Sequence, residues 1–112
     1  MQTRHSSDTL TVKIMANDRG NPPGKLADAE LLFSGDSALA GMKLIGFAIW
    51  ERRSGAGRNV TFPARQYAVN GERRSFALLR PIVDATAQNS VRELILNAFA
   101  EYEERVAVAE RG

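Results

Sequence analysis

The segment Met42 to Glu51, MKLIGFAIWE, constrains the fold more than any other part of the chain. Read as a strand, it places Ile45, Phe47 and Ile49 on one face and Met42, Leu44, Ala48 and Trp50 on the other, because successive side chains alternate. A strand that is apolar on both faces has to be covered on both. It is expected inside a sheet, with a layer of this chain on one side. Leu44, Ala48 and Trp50 are read as a face that a second copy covers, which makes the protein a homodimer.

The first layer is supplied by the C-terminal segment. Val91, Leu94, Ile95, Ala98, Phe99, Tyr102 and Val106 recur at helical spacing and form one apolar stripe. Ser90 and Glu93 have the spacing of a capping box, which predicts a helix start there. Glu101, Glu103 and Glu104 lie mostly off the stripe and are expected in solvent.

Other segments supply partner strands. Leu10, Val12 and Ile14 alternate with Thr9, Thr11 and Lys13, the pattern of a half-buried strand. In KLADAELLF, residues 25–33, Ala27, Ala29, Leu31 and Phe33 alternate with Leu26, Asp28 and Glu30, which favours strand over helix. NDRGNPPG, residues 17–24, is a loop by its prolines and glycines. Val60 and Phe62 alternate inward until Pro63 removes a ladder donor. Asn70-Gly71 signals a hairpin, since a type I′ turn needs positive φ at both central residues. Tyr67, Phe62 and Phe76 stand near arginines and are candidate base-stacking platforms. Phe62 and Phe76, on alternating strands, are read rather as core, and Tyr67, in a loop-like stretch beside Arg65, is the better candidate. The order predicts an α+β fold: an antiparallel β-sheet of four to five strands with a C-terminal α-helix packed on it. The expected boundaries are a polar tail over 1–8, one domain over 9–106 and a tail over 107–112.

The chain has 112 residues and no cysteine, so a single core without disulfides, thiolate nucleophiles or cysteine-ligated metal is expected. No apolar run approaches the roughly 18 to 20 residues that cross a bilayer, and a soluble, cytoplasmic protein is predicted.

Charge is segregated along the chain. Lys and Arg number four against five Asp and Glu over residues 1–40, eight against two over 41–80, and three against six over 81–112. Seven of the eight central cations are arginine, whose fork suits phosphate and whose plane stacks on rings. A solvated sheet face is the plain alternative for such a bias.

Catalytic patterns are weak. His5, the sole histidine, sits in the polar tail, where a general base would lack fixed geometry. Asp28 and Glu30 project from one strand face, a placement that suits acid–base work but equally a salt-bridged surface. Gly55 and Gly57 are not followed by a helix, no Walker lysine is present, and Asp18 and Asp36 lack EF-hand spacing. No catalytic residue, metal site, cofactor or small-molecule substrate is assigned.

The run from Thr9 to about Tyr102 resembles the SpoVG (stage V sporulation protein G) family of small bacterial proteins. The matching features are LTVKIM, KLADAELLF, the two-sided GMKLIGFAIWE, Phe62-Pro63-Ala64-Arg65, the turn Asn70-Gly71-Glu72 with Arg73 and Arg74, Arg80-Pro81-Ile82, and Ile-Leu-Asn-Ala-Phe at 95–99. Neutral Gln66 stands where the family pattern continues with a basic residue. The resemblance implies a small α+β domain that dimerises through its sheet and binds DNA or RNA as a regulator, without catalysis.

The residues expected to carry binding are Arg52, Arg53, Arg58, Arg65, Tyr67, Arg73, Arg74 and Arg80, gathered along one sheet rim, with phosphate contacts dominant. The alternative is a non-catalytic module whose basic rim meets an acidic protein partner. An enzyme built on Asp28 and Glu30 is a further rival.

Overall fold

The structure, a computed structural model, describes residues 10–55 and 57–111. The expected tail over 1–8, with His5, lies outside the described residues. Six strands precede one helix: β1 (Leu10–Ala16), β2 (Lys25–Phe33), β3 (Lys43–Glu51), β4 (Arg58–Thr61), β5 (Ala64–Val69), β6 (Glu72–Ala77) and α1 (Ala85–Arg111). The first four form one antiparallel sheet in the order β1-β2-β3-β4, and β5 with β6 forms a separate two-stranded hairpin. The α+β arrangement holds.

Alternation determines which side chains reach the helix. Ile14, Ala29 and Phe47 make one row across the sheet, and Ala16, Ala27, Ile49 and Val60 make another. Ala27, Ala29, Leu31, Phe47, Ile49, Val60, Ile95 and Phe99 form the buried core. Phe47, Ile49 and Ile95 are its largest fully buried side chains, each contributing about 1.5 to 3 kcal/mol relative to exposure.

A bulge corrects the expected faces of β3. Between the pairs Ala29↔Phe47 and Leu31↔Leu44, β2 advances two residues while β3 advances three. The additional residue reverses the alternation. Leu44 therefore joins Phe47 on the core side, and Ile45, expected inside, is 58% exposed. Leu44 does not share a face with Ala48 and Trp50. Gly46 makes the bulge with φ +108°, and its neighbour across the bulge is the buried Pro63.

The helix also departs from expectation at both ends. It begins at Ala85 rather than near Ser90, because Asp84 accepts a hydrogen bond from the Thr86 backbone N–H at 2.9 Å and serves as the cap. Ser90 lies inside the helix, its hydroxyl donating to the Thr86 carbonyl at 3.1 Å. The helix continues through 107–111, so that stretch is not a separate tail. Its 27 residues span about 40 Å.

Candidate nucleic-acid interface

The expected arginines divide between two ends of β4. Arg58 stands opposite Glu51 at the start of β4, while Pro63 and the β5–β6 hairpin follow its far end. Arg52 and Arg53, both exposed, belong to the turn beside Arg58, where the Arg52 N–H donates to the Gly57 carbonyl at 3.1 Å. Arg65, Arg73, Arg74 and Arg80 belong to the hairpin and the segment after it. The eight expected binding residues are thus drawn from two segments, one leading into the start of β4 and one after it.

Arg58 has a structural partner. Its two terminal nitrogens donate to the two carboxylate oxygens of Glu103 at 2.7 and 2.8 Å, and its guanidinium lies 5.1 Å from the Phe99 ring centroid. The Glu103 hydrogen bond raises the Arg58 pKa further above its ordinary value, outweighing the opposing effect of burial. Arg58 is permanently charged and tied to the helix. Glu103, expected in solvent, is the residue that holds it.

The hairpin is organised by its turn. Asn70 and Gly71 both have positive φ, +53° and +80°, as a two-residue primed turn requires. Such a turn fixes the pairing outward from itself: Val69↔Glu72, Ala68↔Arg73, Tyr67↔Arg74, Gln66↔Ser75, Arg65↔Phe76 and Ala64↔Ala77. Arg65, Tyr67 and Val69 therefore share one face with Glu72, Arg74 and Phe76. Gln66, Ala68, Arg73 and Ser75 occupy the other. Two contacts agree with this division. Arg74 pairs with Glu72 at 3.0 Å on the first face, and the Gln66 amide donates to the Ser75 hydroxyl at 3.4 Å on the second. Arg73 and Arg74, adjacent in sequence, point to opposite sides.

Neither face of this ribbon is packed. Every residue of β5 is exposed, and so is every residue of β6 except Ala77. Tyr67 lies on strand β5, not in a loop, and is 43% exposed. Phe76, expected in the core, is 42% exposed. The Arg80 guanidinium lies 4.4 Å from its ring centroid. Phe62 does pack against the core, edge-on to Phe47 with centroids 5.2 Å apart. The hairpin base is joined to the sheet through the Leu78 N–H, which donates to the Pro63 carbonyl at 2.9 Å. Among the described residues, no carboxylate pairs with Arg65, Arg73 or Arg80.

Arg92 joins the candidates only through the structure, whereas Phe76, weighed as a stacking platform but read as core, returns as a candidate because it is exposed. Arg92 projects from α1 with its guanidinium 5.7 Å from the Phe62 ring. Phe76 was legible in principle, since an Asn-Gly turn of two residues sets the register and pairs position 76 with Arg65.

The remaining candidates are held by neighbours. Asp28 is bridged by Lys25 at 2.6 Å and Glu30 by Lys43 at 3.1 Å. Ala48 is only 8% exposed within one chain, and the Trp50 indole N–H donates to the Thr61 hydroxyl at 2.9 Å. Among the described residues, no group of three or more potential metal ligands occurs, and no helix is long and apolar enough to cross a membrane. Comparison of the chain with protein-family models, curated proteins and solved structures finds no match.

Proposed function

We propose that the protein is a small, non-catalytic nucleic-acid-binding regulator that works in the cytoplasm and contacts its ligand through the β5–β6 hairpin. One observation carries this reading. A single face of the ribbon gathers Arg65, Arg74, Tyr67 and Phe76, with Arg80 laid on Phe76 and Glu72 as its one carboxylate. Guanidinium forks match phosphate oxygens, and the exposed rings supply flat apolar surface between them. The resemblance to the SpoVG family supports the same function. Arg52 and Arg53 would add a second, separate phosphate contact on a long ligand, whereas Arg58 is committed to Glu103.

A homodimer is part of this proposal. Leu39, Met42 and Ile45 are each at least half exposed around the start of β3, and isolated two-stranded ribbons are marginally stable in water. Ala48 and Trp50 remain proposed contacts, while Leu44 faces the core.

The test is fluorescence anisotropy with labelled oligonucleotides from 50 to 200 mM salt, comparing wild type with the Arg65→Ala, Arg74→Ala double variant. Each lost phosphate contact should reduce the slope of log affinity against log salt by about 0.7 to 0.9. Absence of binding at 50 mM salt, or an unchanged slope, would overturn the proposal and favour an acidic protein partner.

A further inference from the structure

The arrangement of rings and guanidinium groups on the hairpin bears on the kind of nucleic acid that fits it. Arg65 stands opposite Phe76, and Tyr67 stands opposite Arg74. On one face, rings and cations therefore alternate both across and along the ribbon. Tyr67 and Phe76 occupy diagonal positions, about 7 to 8 Å apart at the backbone. Each ring has a guanidinium across from it and another cation next along its own strand or stacked on it.

Leaving two large aromatic side chains more than two-fifths exposed forfeits part of the burial energy that normally draws them into a core. Three positive side chains surround them. The remaining carboxylate, Glu72, is already bridged to Arg74. An apolar protein surface would leave those cations without partners. A fully paired duplex presents phosphates and groove edges, while its base faces are closed by stacking on one another. Unpaired bases present open π-faces at intervals along a phosphate chain, the combination that this face complements.

Resting on the nucleic-acid reading above, we propose that the ligand is a single-stranded segment whose bases stack on Tyr67 and on the Arg80–Phe76 pair while Arg65 and Arg74 hold the flanking phosphates. Arg80 has two parts in this arrangement. Its plane extends the Phe76 platform, and its edge stays available to a phosphate or base oxygen. Leu79, the residue before it, packs on the core and holds the chain at the base of the Arg80 side chain.

The test compares single-stranded DNA, single-stranded RNA and the matching DNA duplex by anisotropy at 50 to 200 mM salt, using wild type, Tyr67→Leu, Tyr67→Trp and Phe76→Leu. The expected result is tighter binding of a single strand than of the duplex. Tyr67→Leu should weaken single-strand binding by roughly 5- to 150-fold, the effect of losing one stacked base, with the salt slope unchanged. Tyr67→Trp should restore binding, which separates stacking from a general change in the hairpin. The relative affinities for DNA and RNA then report whether the 2′-hydroxyl contributes. Duplex binding equal to or tighter than single-strand binding would overturn the inference in favour of a ribbon lying in the major groove. So would a Tyr67→Leu variant that matches wild type, and either result leaves the nucleic-acid reading standing. Absence of binding to all three ligands at 50 mM salt would remove both.

Discussion

Gly46 and Pro63 are in direct contact, and a Cβ added to Gly46 would stand 2.8 Å from the proline Cβ and 3.4 Å from its Cα. The bulge on β3 and the exit of β4 toward the hairpin are thus one packed unit. Gly46 also has φ +108°, a conformation that side chains rarely adopt. Gly46→Ala should therefore destabilise the protein by about 2 to 4 kcal/mol, combining backbone strain with overpacking. Urea denaturation checks this, and an unchanged midpoint would mean that the bulge relaxes without cost.

The Arg58–Glu103 pair joins the start of β4 to the last third of the helix. Both side chains are about two-fifths exposed, 38% and 42%, so solvent screens much of the attraction. A double-mutant cycle of Arg58→Leu with Glu103→Gln should give a coupling of about 0.5 to 1 kcal/mol that shrinks in high salt. Arg58→Lys should recover only part of it, because one ammonium cannot reproduce the paired fork. Coupling near zero in low salt would show that the contact is incidental to stability.

Asp84 makes the acid limb of stability testable. Hydrogen bonding to Thr86, first to its backbone N–H and then to its side chain, holds the Asp84 carboxyl below its ordinary pKa. A carboxyl whose pKa is lower when folded than when unfolded adds stability that is fully present above the unfolded value. That contribution disappears as pH falls through the folded value. Asp84→Ala should lower the Tm at neutral pH, and the difference from wild type should narrow below about pH 4, where the unfolded carboxyl takes up its proton. A difference that stays constant down to pH 2 would rule out the cap as its source.

The separation of the arginines predicts unequal effects on binding. Arg65→Ala or Arg74→Ala should each flatten the salt dependence on a short oligonucleotide by about one phosphate contact. Arg52→Ala with Arg53→Ala should leave a short ligand unaffected and weaken only a longer one that reaches past β4. Equal losses from both groups on a ligand of about six nucleotides would contradict the division seen in the fold.

Charge on the hairpin face can be changed without touching its rings. Glu72 is the carboxylate bridged to Arg74, so Glu72→Gln should free that guanidinium and strengthen oligonucleotide binding, with the largest gain at low salt. Weaker binding by this variant would show that the bridge orients Arg74 productively.

Much of this architecture is legible in short stretches of sequence. Alternation in LTVKIM and KLADAELLF is a backbone periodicity, and the stripe through Ile95 and Phe99 is a helical one. Asn70-Gly71 goes further, because its positive-φ pair fixes which residues of β5 and β6 stand opposite one another. These features are decided within a few residues, so the chain by itself determined them. Tertiary packing decided the rest. The bulge at Ile45 and Gly46 sits against Pro63, 17 residues further along the chain, and it moves Leu44 to the core. Arg58 finds its carboxylate 45 residues away in sequence, a match that no local pattern encodes. Phe76 has the alternation of a buried residue and remains in solvent, because burial depends on whether another layer lies above a strand, and the four-stranded sheet and helix do not extend over this hairpin.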